Sequence, residues 1–126
     1  MGSISSNTYS SVEESKRIFN YLCDQFDEIA LPSGVKELRD SIEFTSGRDA
    51  PYFPIPFKET ETTAALKAFE GAVACLLASS VAGESHTRKM NINLEKTTAF
   101  LCQAYMAKVG GLGKLDPGVK AKLKGQ

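Results

Sequence analysis

The chain has 126 residues, 42% hydrophobic and 24% charged, with 15 basic and 15 acidic side chains that cancel. That length and balance describe one globular domain or a piece of one, and they exclude wholesale disorder, a collagen-like fibre and a disulfide scaffold. No apolar run reaches the roughly 18 residues of a membrane span, and no basic stripe interleaved with aromatics marks a nucleic-acid binder.

The charge is uneven along the chain. Residues 1–50 carry five Lys/Arg against nine Asp/Glu, and residues 51–126 carry ten against six. Part of the basic excess lies in a tail with Lys114, Lys120, Lys122 and Lys124 against Asp116, which reads as a solvated end. The first residues, Met1 to Thr8, lack the basic-then-apolar order of a secretory leader. Met1-Gly2 with Ser6 fits the loose myristoylation pattern, but these residue types are common at expressed N-termini. Cys23, Cys75 and Cys102 are widely spaced, and no Cys-x-x-Cys occurs. The sole histidine, His86, stands in a polar stretch, so spacing offers no metal site. The thiols lie on apolar helical stretches and read as reduced core residues of a cytoplasmic protein, with peroxisome and mitochondrion left open.

Residues 1–10 are Ser/Asn-rich and expected to be loose. A helix follows over 12–28, with Ser11 as its cap and Glu14 closing a capping box. Phe19, Leu22, Cys23, Phe26 and Ile29 form its apolar stripe. Leu31-Pro32-Ser33-Gly34 ends it. A short second helix is expected over 33–40, with Val35 and Leu38 facing inward. Ile42-Glu43-Phe44 alternates, as a strand over 42–45 would. Pro51, Pro54 and Pro56 then rule out regular helix or an inner strand. They make residues 46–58 a stiff extended loop carrying Tyr52, Phe53, Ile55 and Phe57.

A long helix is expected over 60–81. Its many alanines favour helix and let neighbouring backbones approach, so it reads as the central, most buried element, with Leu66, Phe69, Val73, Leu76 and Leu77 adding bulk. Gly83 stops it. Residues 89–94 alternate at period two and give the clearest strand signal. A last helix covers 95–108, with Leu94, Thr97, Phe100, Leu101, Ala104 and Tyr105 toward the core, and Gly110-Gly111 ends it. A strand such as 89–94 cannot satisfy its own backbone groups. The chain is therefore read as a helix-dominated α/β fragment: four helices (12–28, 33–40, 60–81, 95–108) and one or two short strands (42–45, 89–94). Residues 11–110 form one helix-rich domain between a flexible start, 1–10, and a basic flexible tail, 111–126.

Three features resemble the family III CoA-transferases, the CaiB/BaiF group that includes the alpha-methylacyl-CoA racemases, and above all a short N-terminal portion of its long fungal members. They are the approach Pro51-Tyr52-Phe53-Pro54-Ile55-Pro56-Phe57-Lys58, the alanine/leucine helix from Ala64 to Ala78, and the strand entering a helix at Met90-Asn91-Ile92-Asn93-Leu94-Glu95-Lys96. The helix over 12–28 and the Leu31-Pro32 turn resemble the leader of those fungal proteins. The likeness covers about half the chain.

The resemblance implies chemistry on an acyl-CoA thioester, either acyl transfer through a carboxylate nucleophile or proton transfer at the carbon beside the thioester. It implies no permanently bound cofactor, since CoA arrives with the substrate, and a homo-oligomer or docking to a full-length relative. The family's carboxylate aligns with Thr60. Its neighbours Glu61, first, and Glu59, second, are the candidate catalytic residues, against the plainer reading that both acids only complement the helix dipole. The family's basic glycine-rich turn is eroded to Gly83, Arg88 and Lys89, and His86 is misplaced for a second base. Two other readings stay open: a catalytically silent remnant that serves a full-length relative as partner or regulator, and a small helical binding protein.

Overall fold

The computed structural model describes residues 8–25, 34–83 and 88–123. Phe26, Ile29, the Leu31-Pro32 turn and His86 lie outside them, as does the Met1-Gly2 pattern.

Helix α1 runs Ser11–Gln25. Its cap is one residue earlier than the sequence suggests. Ser10 Oγ accepts the Glu13 N–H at 3.1 Å, while Asp49, far along the chain, accepts the Val12 N–H at 2.9 Å. Glu14 does not close a capping box here; its carboxylate takes Arg17 and Lys58 instead. Ser11, Ser15, Phe19 and Cys23 recur every fourth residue and form the buried stripe. The Phe19 ring centre sits 5.2 Å from that of Phe69 and 6.0 Å from that of Phe44.

The short helix expected over 33–40 is instead a set of turns over residues 34–38 that closes in a 3-10 turn, Arg39–Ser41. Gly34 starts it at φ 117°, and the Leu38 N–H is shared between the Gly34 and Val35 carbonyls. The turn delivers buried Val35 to the core and then feeds strand β1, Ile42–Thr45.

Strand β1 pairs in parallel with β2, Met90–Asn93, in the register Ile42↔Met90 through Thr45↔Asn93. Parallel neighbours need a crossover, and α2, Glu59–Ala82, lies on it. Ile42, Phe44 and Ile92 face the core, while Glu43 and Asn91 face outward. The sheet is therefore covered on one face, whereas parallel sheets are ordinarily covered on both.

Helix α2 ends at Gly83, which adopts φ 65° as a left-handed cap. It packs against α1, β2 and α3 with its smallest side chains. Ala64, Ala65, Ala68 and Ala72 are fully buried, whereas Leu66 and Leu77 are exposed. The helix expected to be the most buried element is therefore buried along one side only. The alanines lie inside because they permit close approach, Phe69, Val73 and Leu76 pack half-buried beside them, and Leu66, Leu77 and Val81 are left outside.

Helix α3, Leu94–Leu101, is capped by Asn93, whose side chain accepts the Lys96 N–H at 2.9 Å. The helix expected to reach 108 breaks at Cys102 and resumes as the single turn α4, Gln103–Met106. Thr97 and Thr98 donate to the carbonyls four residues back, a habit that weakens helices. Leu94 and Thr97 are buried, but Phe100 and Tyr105 are exposed, because only the first turns of α3 lie against α2. Cys23 is buried, Cys75 and Cys102 are half-buried, and all three are free thiols.

Beyond α4, strands β3 (Lys108–Val109) and β4 (Leu112–Gly113) form a small antiparallel hairpin. Its turn is Gly110-Gly111, with φ 58° and 79°, the two positive angles that such a tight connection demands. Helix α5, Pro117–Leu123, follows, with proline in its first turn and the Val119 and Lys120 N–H groups on the Asp116 carbonyl.

Candidate functional site

The proline arm, residues 51–58, has no regular structure and leads into the start of α2. Its base is pinned to α3. The Tyr52 hydroxyl donates to Glu95 Oε1 at 2.5 Å, the Gly47 N–H reaches the same oxygen at 2.7 Å, and Ser46 Oγ lies 2.6 Å from the Tyr52 hydroxyl. These donors, Tyr52 first, hold the Glu95 carboxyl down at about 2. The Arg48 guanidinium covers the Tyr52 ring at 5.6 Å.

At its other end the arm hands over to α2 at Lys58. The Lys58 ammonium pairs with Glu14 at 2.6 Å and lies 5.8 Å over the Tyr9 ring. Glu14 also takes Arg17 at 2.6 Å. Arg17 and then Lys58 bring the Glu14 carboxyl down to about 2. Lys58 is thus engaged with Glu14.

Glu61 lies in the first turn of α2 and is only 4% exposed. Its Oε1 accepts the Tyr9 hydroxyl at 2.6 Å. Burial, and then the carboxylate beside it, push the Tyr9 phenol above its ordinary range, so Tyr9 remains a donor near neutrality. The N-terminal end of α2 favours an anion here as well. Glu61 and Thr60 share a cleft of about 160 Å³ with Tyr9 and the arm residues Phe53, Ile55 and Phe57. A carboxylate, a phenol and an apolar wall therefore converge on one small concavity.

The other candidates are placed differently. Glu59 is exposed, in a broad open groove shared with Thr63 and Leu101. Thr60 is buried in the seam between α2 and α3, its hydroxyl 3.1 Å from that of Thr98. Thr98 already donates to the Leu94 carbonyl, which leaves Thr60 as the donor to Thr98. A wider groove over the starts of β1 and β2, about 470 Å³, has walls of both signs, including Glu13, Lys16, Asp40 and Lys89, and contains neither Glu59 nor Glu61. Among the described residues no three His, Cys, Asp or Glu side chains gather as a metal site would require.

Tyr9 is the site residue that sequence reasoning missed. It lies in the segment expected to be loose, 52 residues from its partner, and no local spacing links the two. The roles of Glu95 and Asp49 escaped for the same reason, since their partners are 43 and 37 residues distant.

No family model, no curated protein and no solved structure matches the chain.

Proposed function

We propose that the chain binds an acyl-CoA thioester and that Glu61 acts on it as the base at the carbon beside the thioester carbonyl. The observation that supports this reading is the Glu61 carboxylate itself, buried, held by the Tyr9 hydroxyl and facing an apolar cleft. A base for a carbon acid must be aimed and shielded from water. The first-turn N–H groups of α2 favour the negative charge that shifts onto the thioester oxygen as the proton leaves. Tyr9 serves as a positioning residue, fixing the carboxylate through Oε1. The family likeness of the proline arm and the alanine helix points to the same substrate class.

The test is solvent deuterium exchange at the alpha carbon of an acyl-CoA in D2O. Exchange is expected with the natural chain. Glu61→Gln should lower its rate by about 100-fold, at the low end of what general-base groups contribute, while Glu59→Gln leaves it within twofold. A saturating acyl-CoA should raise the melting temperature by several degrees, as about 2.7 kcal/mol of ligation at 100 times the dissociation constant would. No exchange together with no melting shift overturns the proposal.

A second reading, a silent partner module, is favoured by Thr60. The residue aligned with the family's carboxylate is a hydroxyl bonded to Thr98. Under that reading the melting shift appears and the exchange does not.

A further inference from the structure

We propose that the cleft beneath the proline arm is a pocket for a compact apolar acyl group about the size of a benzene ring, so that the thioesters this chain takes are short branched or aryl ones. This rests on the acyl-thioester reading and narrows its substrate. The cleft, open to solvent on one side, measures about 160 Å³, of the order of the roughly 150 Å³ closed apolar cavity that admits benzene. Phe53, Ile55 and Phe57 give it aromatic and aliphatic walls, and Glu61, Tyr9 and Lys58 give it a polar edge. It is bounded on two sides. Below, Thr60 is buried and bonded to Thr98, so the seam between α2 and α3 is closed. Above, the arm resists retreat. Three prolines fix its backbone, Tyr52 ties one end to Glu95, and Lys58 ties the other to Glu14. An acyl chain of ten or more carbons would have most of its methylenes left in water, whereas an isobutyryl or phenylacetyl group would be covered.

Titration calorimetry of the full chain with CoA, isobutyryl-CoA, phenylacetyl-CoA and decanoyl-CoA tests this. The isobutyryl and phenylacetyl thioesters are expected to bind at least tenfold tighter than CoA, and decanoyl-CoA no tighter than phenylacetyl-CoA. Ile55→Trp lies on an exposed part of the arm. It should fill the cleft and bring each acyl-CoA to the affinity of CoA. Decanoyl-CoA binding tenfold tighter than the short thioesters overturns the pocket but not the acyl-thioester reading, and so does equal binding of all four. If none of the four binds, that reading fails, and phenylacetamide decides the pocket alone. Saturable shifts of the Phe53 and Phe57 resonances that Ile55→Trp abolishes sustain it, and their absence overturns it.

Discussion

Asp49 holds the start of α1 from the far side of the fold. Its Oδ1 accepts the Val12 N–H and the Ser10 and Ser11 hydroxyls, and it keeps φ at 42° to do so. Glu14 and Glu95 join other distant segments in the same way, Glu14 to Lys58 and Glu95 to Gly47 and Tyr52. All three carboxyls titrate below their ordinary ranges: Asp49 through the Val12 N–H, Glu14 to about 2 through Arg17, and Glu95 to about 2 through Tyr52. The sign follows from linkage. A carboxyl that is more acidic folded than unfolded adds stability above its unfolded value, and that stability is lost as protons return. For Glu14 and Glu95 the window runs from the ordinary 4.5 down to about 2. The urea midpoint is therefore expected to be nearly level from about pH 7 to pH 5 and to fall through that window. Glu95→Gln should be less stable than the natural chain at neutral pH and show a shallower acid decline. An unchanged decline would remove Glu95 from the account.

The elements show how far local pattern reaches. The limits of α2, β1 and β2 followed closely from alanine content, period-two alternation and the glycine at position 83, because each is a local preference of the backbone. Which face of α2 is buried could not be read this way. The helix is apolar nearly all round, so it has no stripe to orient it. The selection is tertiary: α1 packs on α2 with Phe19 against Phe69, and the alanines of α2 join Phe19 and Cys23 in the one core. The 33–40 segment failed as a helix because Gly34 must take φ 117° there, with Leu76 against it. The contrast between the faces of α2 is measurable. Ala68→Leu, at a site with no exposure, should overfill the core and cost about 1–3 kcal/mol. Leu77→Ala, at a side chain 62% exposed, should stay within about 0.5 kcal/mol. Chemical denaturation of the two variants checks this, and the reverse order would place the alanine face outside.

The described residues leave several large apolar side chains of α2 and the segment after it exposed. Helix α2 contains an 18-residue window whose mean hydropathy, 1.5, is that of a membrane-crossing segment, yet only 22% of that window is buried. Val81 is 90% exposed and Leu66 is half-exposed, and Phe100 and Tyr105 beyond α2 are exposed as well. Surface of this kind marks an interface more often than free solvent contact. Among the described residues β1 and β2 pair only with each other, and outer strand edges invite further pairing. A second copy of the chain is the occupant we expect. In such a pair the exposed apolar side chains of α2 would cover one another. The opposing contribution is the entropy of association, which only a well-covered patch overcomes. Sedimentation velocity over a hundredfold range of concentration should therefore show a shift from monomer to dimer. Leu77→Lys together with Val81→Lys should keep the chain monomeric at the highest concentration without lowering its melting temperature, because both side chains already face water in the monomer. A natural chain that stays monomeric throughout would leave the α2 face without a self-association role.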